Sequence, residues 1–154
     1  MSIRIVRPEE RHRADWDELY ASYARFYRTE QTAEMRDRVW SWLHDESEVL
    51  EAFVAEDAEG GLVGLAHFRE FHRPLSATRG GFLDDLFVTP AARGSGAARA
   101  LLVALADEAS SRGWSVVRWI TADDNYRARG LYDQLATRTT WLTYDMPPSK
   151  AEPT

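Results

Sequence analysis

The sequence predicts a mixed α/β fold, and three observations carry that prediction. Apolar residues recur at three- and four-residue steps in some stretches and alternate or run together in others, the signatures of helix and strand. The two kinds of stretch interleave along the chain and do not segregate into halves. Between Gly81 and Ala109 a strand pattern passes through a Pro-and-Gly loop into a helical stripe and then meets another strand pattern, which describes a strand–loop–helix–strand crossover.

Ile3 to Val6 reads as a short strand. After Pro8, Trp16, Leu19, Tyr20, Tyr23 and Tyr27 fall on one helical face. Thr32 is placed to cap a second helix, with Glu34 in its first turn and Met35, Val39 and Leu43 along one side. Phe53 to Ala55 and Leu62 to Phe68 flank "EDAEGG", whose glycines accept the positive backbone angles of a hairpin turn. "GFLDDLFV", residues 81 to 88, is a third strand, closed by Thr89 and Pro90 because proline cannot donate to a ladder.

Ala98, Leu101, Leu102, Leu105 and Ala109 then form a helical stripe that Arg112 and Gly113 terminate. Trp114 to Thr121 reads as a strand, Asn125 to Leu135 as a helix with Ala128, Leu131, Tyr132 and Leu135 on one face, and "TTWLTYDM" as a final strand. Gly130 lies inside that last helix, and its persistence there predicts close packing. The order is β-α-α-β-β-β-α-β-α-β, a single domain over residues 1–146 followed by an apolar-poor, flexible tail over 147–154.

Composition narrows the function. A chain of 154 residues buries about two-thirds of its unfolded surface in one core. A formal charge of -6 argues against broad nucleic-acid binding and suits a cationic small substrate. With no cysteine and four scattered histidines, neither a thiolate nucleophile nor a metal site is expected. The sequence has no leader pattern and no run of about 18 apolar residues, so a soluble cytoplasmic protein without membrane partners is expected.

The loop "ARGSGAA" ahead of a helix concentrates backbone N–H groups at the positive end of the helix dipole. A plain glycine turn and a phosphate site both fit it. Two familiar phosphate motifs do not: the P-loop requires Lys-Ser/Thr after its glycines, and the dinucleotide fingerprint requires three glycines at a wider spacing.

Arg93, Gly96 and Ala98 match Arg/Gln-x-x-Gly-x-Gly/Ala, and "DDNYRARGLYD" matches Asn-x-x-Ala-x-x-x-Tyr roughly 30 residues later. In these features the chain resembles the GNAT N-acetyltransferases, above all their small-amine members of the polyamine and D-amino-acid type. The resemblance implies a mixed, mostly antiparallel central sheet flanked by about four helices, with acetyl-CoA as acetyl donor and no metal. It implies transfer to a primary amine by direct attack in a ternary complex, and a homodimer. It further implies that Arg93, Gly94, Ser95, Gly96, Ala97 and Ala98 cradle the CoA pyrophosphate, that Leu86, Phe87 and Val88 hold the pantetheine arm, and that Asn125 contacts the cofactor.

By the same resemblance, Tyr132 protonates the departing thiolate and an acid of "LDD" handles the amine proton. Asp84 aligns better than Asp85, yet a bulge in this strand would cancel the alternation that separates their faces. Tyr23, Phe26, Tyr27 and Glu30 are candidates for the acceptor wall, although aromatic stripes also serve as core. His67 and His72 are candidates to assist proton removal. Two readings stand beside the enzyme: a CoA-binding regulatory domain without catalysis, and a transferase acting on protein lysines or N-termini.

Overall fold

The computed structural model describes residues 2–150. Two compact units divide the chain, Met1–Ile120 and Thr121–Thr154. The first holds β1 (Arg4–Val6), α1 (Arg13–Phe26), α2 (Ala33–Leu43), β2 (Leu50–Glu56), β3 (Leu62–Arg73), β4 (Thr78–Val88), α3 (Ala97–Arg112) and β5 (Val117–Arg118). The second holds α4 (Tyr126–Leu135). The five strands form one sheet in sequence order, antiparallel from β1 to β4 and parallel between β4 and β5. This is the mostly antiparallel sheet with four helices that the sequence predicted.

Local chemistry explains the element ends. Thr32 caps α2 by accepting from the Met35 N–H at 3.1 Å. Gly113 closes α3 in the left-handed region at φ 70°. A buried Glu56 at the end of β2 takes His12 and Arg11 as partners and so ties the start of the chain to the sheet.

Alternate residues of β2, β3 and β4 supply two cores, one on each face of the sheet. Under α1 and α2, Trp16, Leu19, Trp40, Val54, Leu65 and Phe87 pack together, with Trp16 and Leu65 fully enclosed. Burying each such large side chain is worth about 1.5–3 kcal/mol. On the opposite face α3 contributes Leu101 and Leu105, both enclosed.

Two strands depart from the sequence reading. The segment expected as a strand from Trp114 to Thr121 forms only Val117–Arg118 as regular strand. Trp114 turns its ring onto Gly81, where a Cβ would stand 2.4 Å from it, and Ser115 and Val116 are held irregularly by bonds to Arg79 and Gly81. The final strand expected over 139–146 is not formed. Its alternation satisfies β propensity, but a strand also needs a ladder, and among the described residues none pairs with it, leaving Trp141, Leu142, Tyr144 and Met146 exposed. In the expected tail, residues 147–150 are exposed without helix or strand, and 151–154 lie outside the described residues.

Candidate active site

The site is organised by a fault in the sheet. His67 pairs with Asp85 and Phe68 with Leu83, so β4 carries one extra residue, Asp84, against β3. The bulge resolves the parity question in an unexpected way, by delivering both acids to one face. Asp85 Oδ2 lies 2.9 Å from His67 Nδ1, and Asp84 lies 3.2 Å from Arg69 Nε. His67 and Arg69 are two apart on β3 and share its α1 face.

The two carboxyls differ in environment. Asp85 accepts hydrogen bonds from His67 and from the Tyr20 hydroxyl at 2.9 Å. Burial would raise its pKa, but the bonds from His67, Tyr20 and Tyr23 outweigh burial and hold it below the ordinary value. Asp84 is shifted the other way. Partial burial and the neighbouring Asp85 charge raise it against the pull of Arg69.

Along α1 the stripe of Trp16, Tyr20, Tyr23 and Tyr27 passes over these groups at helical spacing. Trp16 donates its indole N–H to His67 Nε2 at 3.0 Å. The Tyr20 ring meets His67 edge-on at 4.7 Å, and Tyr23 meets Phe87 at 5.6 Å. Phe26 reaches Phe87 and Tyr27, and both Phe26 and Tyr27 are exposed. Tyr23, Phe26 and Tyr27 are thus brought together beside the acids. Glu30 sits exposed in the turn that follows and is not part of this aromatic group. His72 is exposed further along the β3–β4 hairpin, away from Asp85 in register.

β4 has a free edge at its far end. It pairs with β5 only at Gly81 and Phe82 among the described residues. Thr89 donates to Val63 at 2.9 Å, and successive residues of a strand address opposite edges. Phe87 therefore spends its backbone on β3, while Leu86 and Val88 turn theirs to the open edge.

The loop after β4 is built to keep N–H groups available. Gly94 and Gly96 hold φ 81° and 87°, which a side chain would strain, and among the described residues nothing lies within 4 Å of the Cβ either would carry. Arg93 and Ser95 donate their N–H groups to Pro90 and Ala92 carbonyls, and Ala97 donates to Ser95 Oγ at 3.3 Å. Among the described residues the N–H groups of Gly94, Gly96 and Ala98 meet no acceptor. Three uncommitted donors at the start of a 16-residue helix fit a diphosphate. The Arg93 guanidinium rests over the Phe26 ring at 5.5 Å.

In the second unit, Asn125 caps α4 by accepting from the Ala128 N–H at 3.5 Å, and Tyr132 lies within that helix.

Residues 16–136 match the model of the acetyltransferase (GNAT) family. The chain belongs to that family. It is an N-acetyltransferase that draws on acetyl-CoA. The D-amino-acid N-acetyltransferase of Saccharomyces cerevisiae is 27% identical over 143 residues, which are 92% of this chain and 88% of the yeast protein. The crystal structure of a ribosomal-protein-alanine N-acetyltransferase from Brucella melitensis biovar Abortus 2308 superposes with a TM-score of 0.80 at 28% identity, covering 96% of this chain and 99% of that one. An aminoglycoside N-acetyltransferase in complex with CoA shares the fold, with a TM-score of 0.79 at 18% identity over 96% of each chain.

In this acetyltransferase, Tyr20 and Trp16, which the sequence reading placed only on one face of the first helix, reach the acid-bearing strand pair. Their helical spacing was visible, but nothing local indicates that they meet Asp85 and His67 across 65 and 51 positions. Among the described residues no helix is long and apolar enough to cross a membrane, and no group of three or more His, Cys, Asp or Glu is placed to hold a metal.

Proposed function

We propose that this acetyltransferase acts on a primary amine of a small molecule, by direct attack in a ternary complex. The observation that supports it most is the β4 bulge, which sets two differently tuned acids on one face beside an aromatic wall, on the strand that leads into the phosphate loop. A free amine has a pKa near 10.4 and arrives mostly as ammonium, so a proton must leave before attack. Asp84, whose proton affinity burial raises, takes that proton directly or through one water.

The amine nitrogen then bonds to the thioester carbon and the C–S bond breaks. Leu86 and Val88 present backbone groups to the pantetheine arm and polarise the thioester carbonyl, and the free N–H groups of Gly94, Gly96 and Ala98, with Arg93, hold the pyrophosphate. Tyr132 supplies a proton to the thiolate, a role carried by its family motif, and Asn125 contacts the donor on the same basis. A chain without cysteine has no thiol to serve as acyl carrier, which favours the direct route.

Residues 1–146 are the functional unit on this reading, with 147–154 as a tail, in a cytoplasmic homodimer. Light scattering in solution at twice the 17.6 kDa chain mass is the expected result for the dimer, and a single chain mass overturns it.

The test is CoA-thiol release from acetyl-CoA with polyamines, D- and L-amino acids, aminoglycosides and peptides, for the wild type, Asp84→Asn and Tyr132→Phe. Turnover on a small amine, weakened in both variants, is expected. Turnover on peptides alone overturns the acceptor class, and unchanged rates in the variants overturn the roles.

A further inference from the structure

His67 is a fully enclosed titratable residue that the mechanism above does not use. Both of its ring nitrogens are engaged. Trp16 approaches Nε2 at 3.0 Å with an indole N–H, a group that can donate but not accept. Nε2 must therefore present a lone pair, and the ring's one proton sits on Nδ1, where it donates to Asp85 at 2.9 Å. A ring so arranged cannot receive a proton at Nε2 without breaking the Trp16 bond, and Nδ1, already protonated, has no lone pair to receive one. It does not act as a base.

We propose that His67 is a positioning residue for the acceptor: a neutral imidazole, fixed in its Nδ1–H tautomer by Trp16, that keeps Asp85 a permanent anion on which the acceptor's ammonium docks before Asp84 removes its proton. The docking role rests on the amine-transfer reading above. The groups facing His67 agree with it. From α1 come Tyr20 and Tyr23, and from β4 Asp85 with Asp84 behind it, while Arg69 on β3 is occupied by Asp84. Asp85 retains 19% of its side-chain surface, enough to be reached, and Tyr23, which donates to it, and Tyr27, packed on Tyr23, offer ring faces that attract a cation. Asp85 accepts two to three donors and so suits binding a cation better than taking its proton.

The tautomer is read first, by long-range 15N–1H NMR on the wild-type protein, with the His67→Asn spectrum identifying the signal. A His67 ring protonated at Nδ1 alone is expected; a ring protonated at Nε2 overturns the proposal. Trp16→Phe, which deletes the indole N–H and keeps an aromatic ring, should release the second tautomer; an unchanged tautomer overturns the role given to Trp16.

In steady state, His67→Leu should raise KM for a cationic acceptor at least tenfold, about the loss of one charge-assisted hydrogen bond, with KM for acetyl-CoA unchanged. His67→Asn can still donate an N–H toward Asp85 and should recover most of that loss. Equal KM values for the Leu and Asn variants, or a rise confined to acetyl-CoA, overturn the positioning role. If His67→Leu fails to fold, the wild-type and Trp16→Phe spectra still decide. A wild type that turns over no amine refutes the function reading instead, and the tautomer spectrum continues to test this one.

Discussion

Tyr20 and Asp85, 65 positions apart in the sequence, meet through a 2.9 Å hydrogen bond from the tyrosine hydroxyl to the carboxylate. Burial and the Asp85 charge raise the Tyr20 pKa well above its usual value, so the hydroxyl keeps its proton and remains a donor throughout the working range. Tyr20→Phe removes one donor and leaves the ring. It should raise KM for the amine several-fold, as expected for about 1 kcal/mol, with acetyl-CoA binding unchanged by calorimetry. An unchanged amine KM would show that the bond is dispensable.

The depressed pKa of Asp85 makes it a source of acid sensitivity. A carboxyl whose folded pKa lies below its unfolded value contributes stability that is complete above the unfolded value, about 3.9, and is lost as pH falls through the folded one. Thermal melts of the wild type should therefore drop more steeply below about pH 4 than those of Asp85→Asn. Parallel curves would contradict this.

Asp84 has the opposite sign. Its raised pKa means that the folded state holds the proton more tightly, and as a base it must lose that proton. The acid limb of kcat/KM should lie above the ordinary aspartate range, and Asp84→Asn should abolish it with a fall in kcat of about 10² to 10⁴. Arg69→Met removes the cation that lowers Asp84 and should move the limb to higher pH. A limb that ignores Arg69→Met would assign it to another group.

Gly96 tests the loop. Any side chain at φ 87° costs about 1–2 kcal/mol of backbone strain and projects into the space beside the free N–H groups. Gly96→Ala should lower the melting temperature by a few degrees and weaken acetyl-CoA binding by tenfold or more. Binding as tight as the wild type would place the pyrophosphate elsewhere.

Gly130 corrects an expectation. Its presence within a helix suggested close packing, but among the described residues nothing lies within 4 Å of the Cβ it would carry, and its φ is not positive. Gly130→Ala should therefore stabilise α4 by about 0.5–1 kcal/mol, measured by urea titration. Destabilisation would reveal a packing constraint.

Legibility followed sequence distance. The α1 stripe, the Thr32 cap, the Gly113 terminus and the crossover loop depend on residues within a few positions of one another, and each was readable. The family resemblance also pointed to the acids and the loop, whose roles are proposed above. The bulge was foreseen only as a reason for indecision, because which residue is extra depends on how β3 pairs with β4, and no local pattern encodes register. The convergence of Trp16, Tyr20 and His67 on Asp85 needs three elements in place at once. The segments at Trp114 and 139–146 show the reverse failure, where good local propensity meets a neighbour that dictates something else or no neighbouring strand at all.

Trp16 belongs at once to the core under α1 and to the chain of donors that ends at Asp85. Phe26 and Tyr27, in the proposed acceptor wall, are exposed and can drift with little effect on folding. Trp16 cannot. A lineage that acquires a new acceptor by altering this end of the network must first carry spare stability, whereas one that alters the exposed end is free of that constraint. Diversification in proteins of this design should therefore begin at the mouth of the aromatic wall and reach its buried end last.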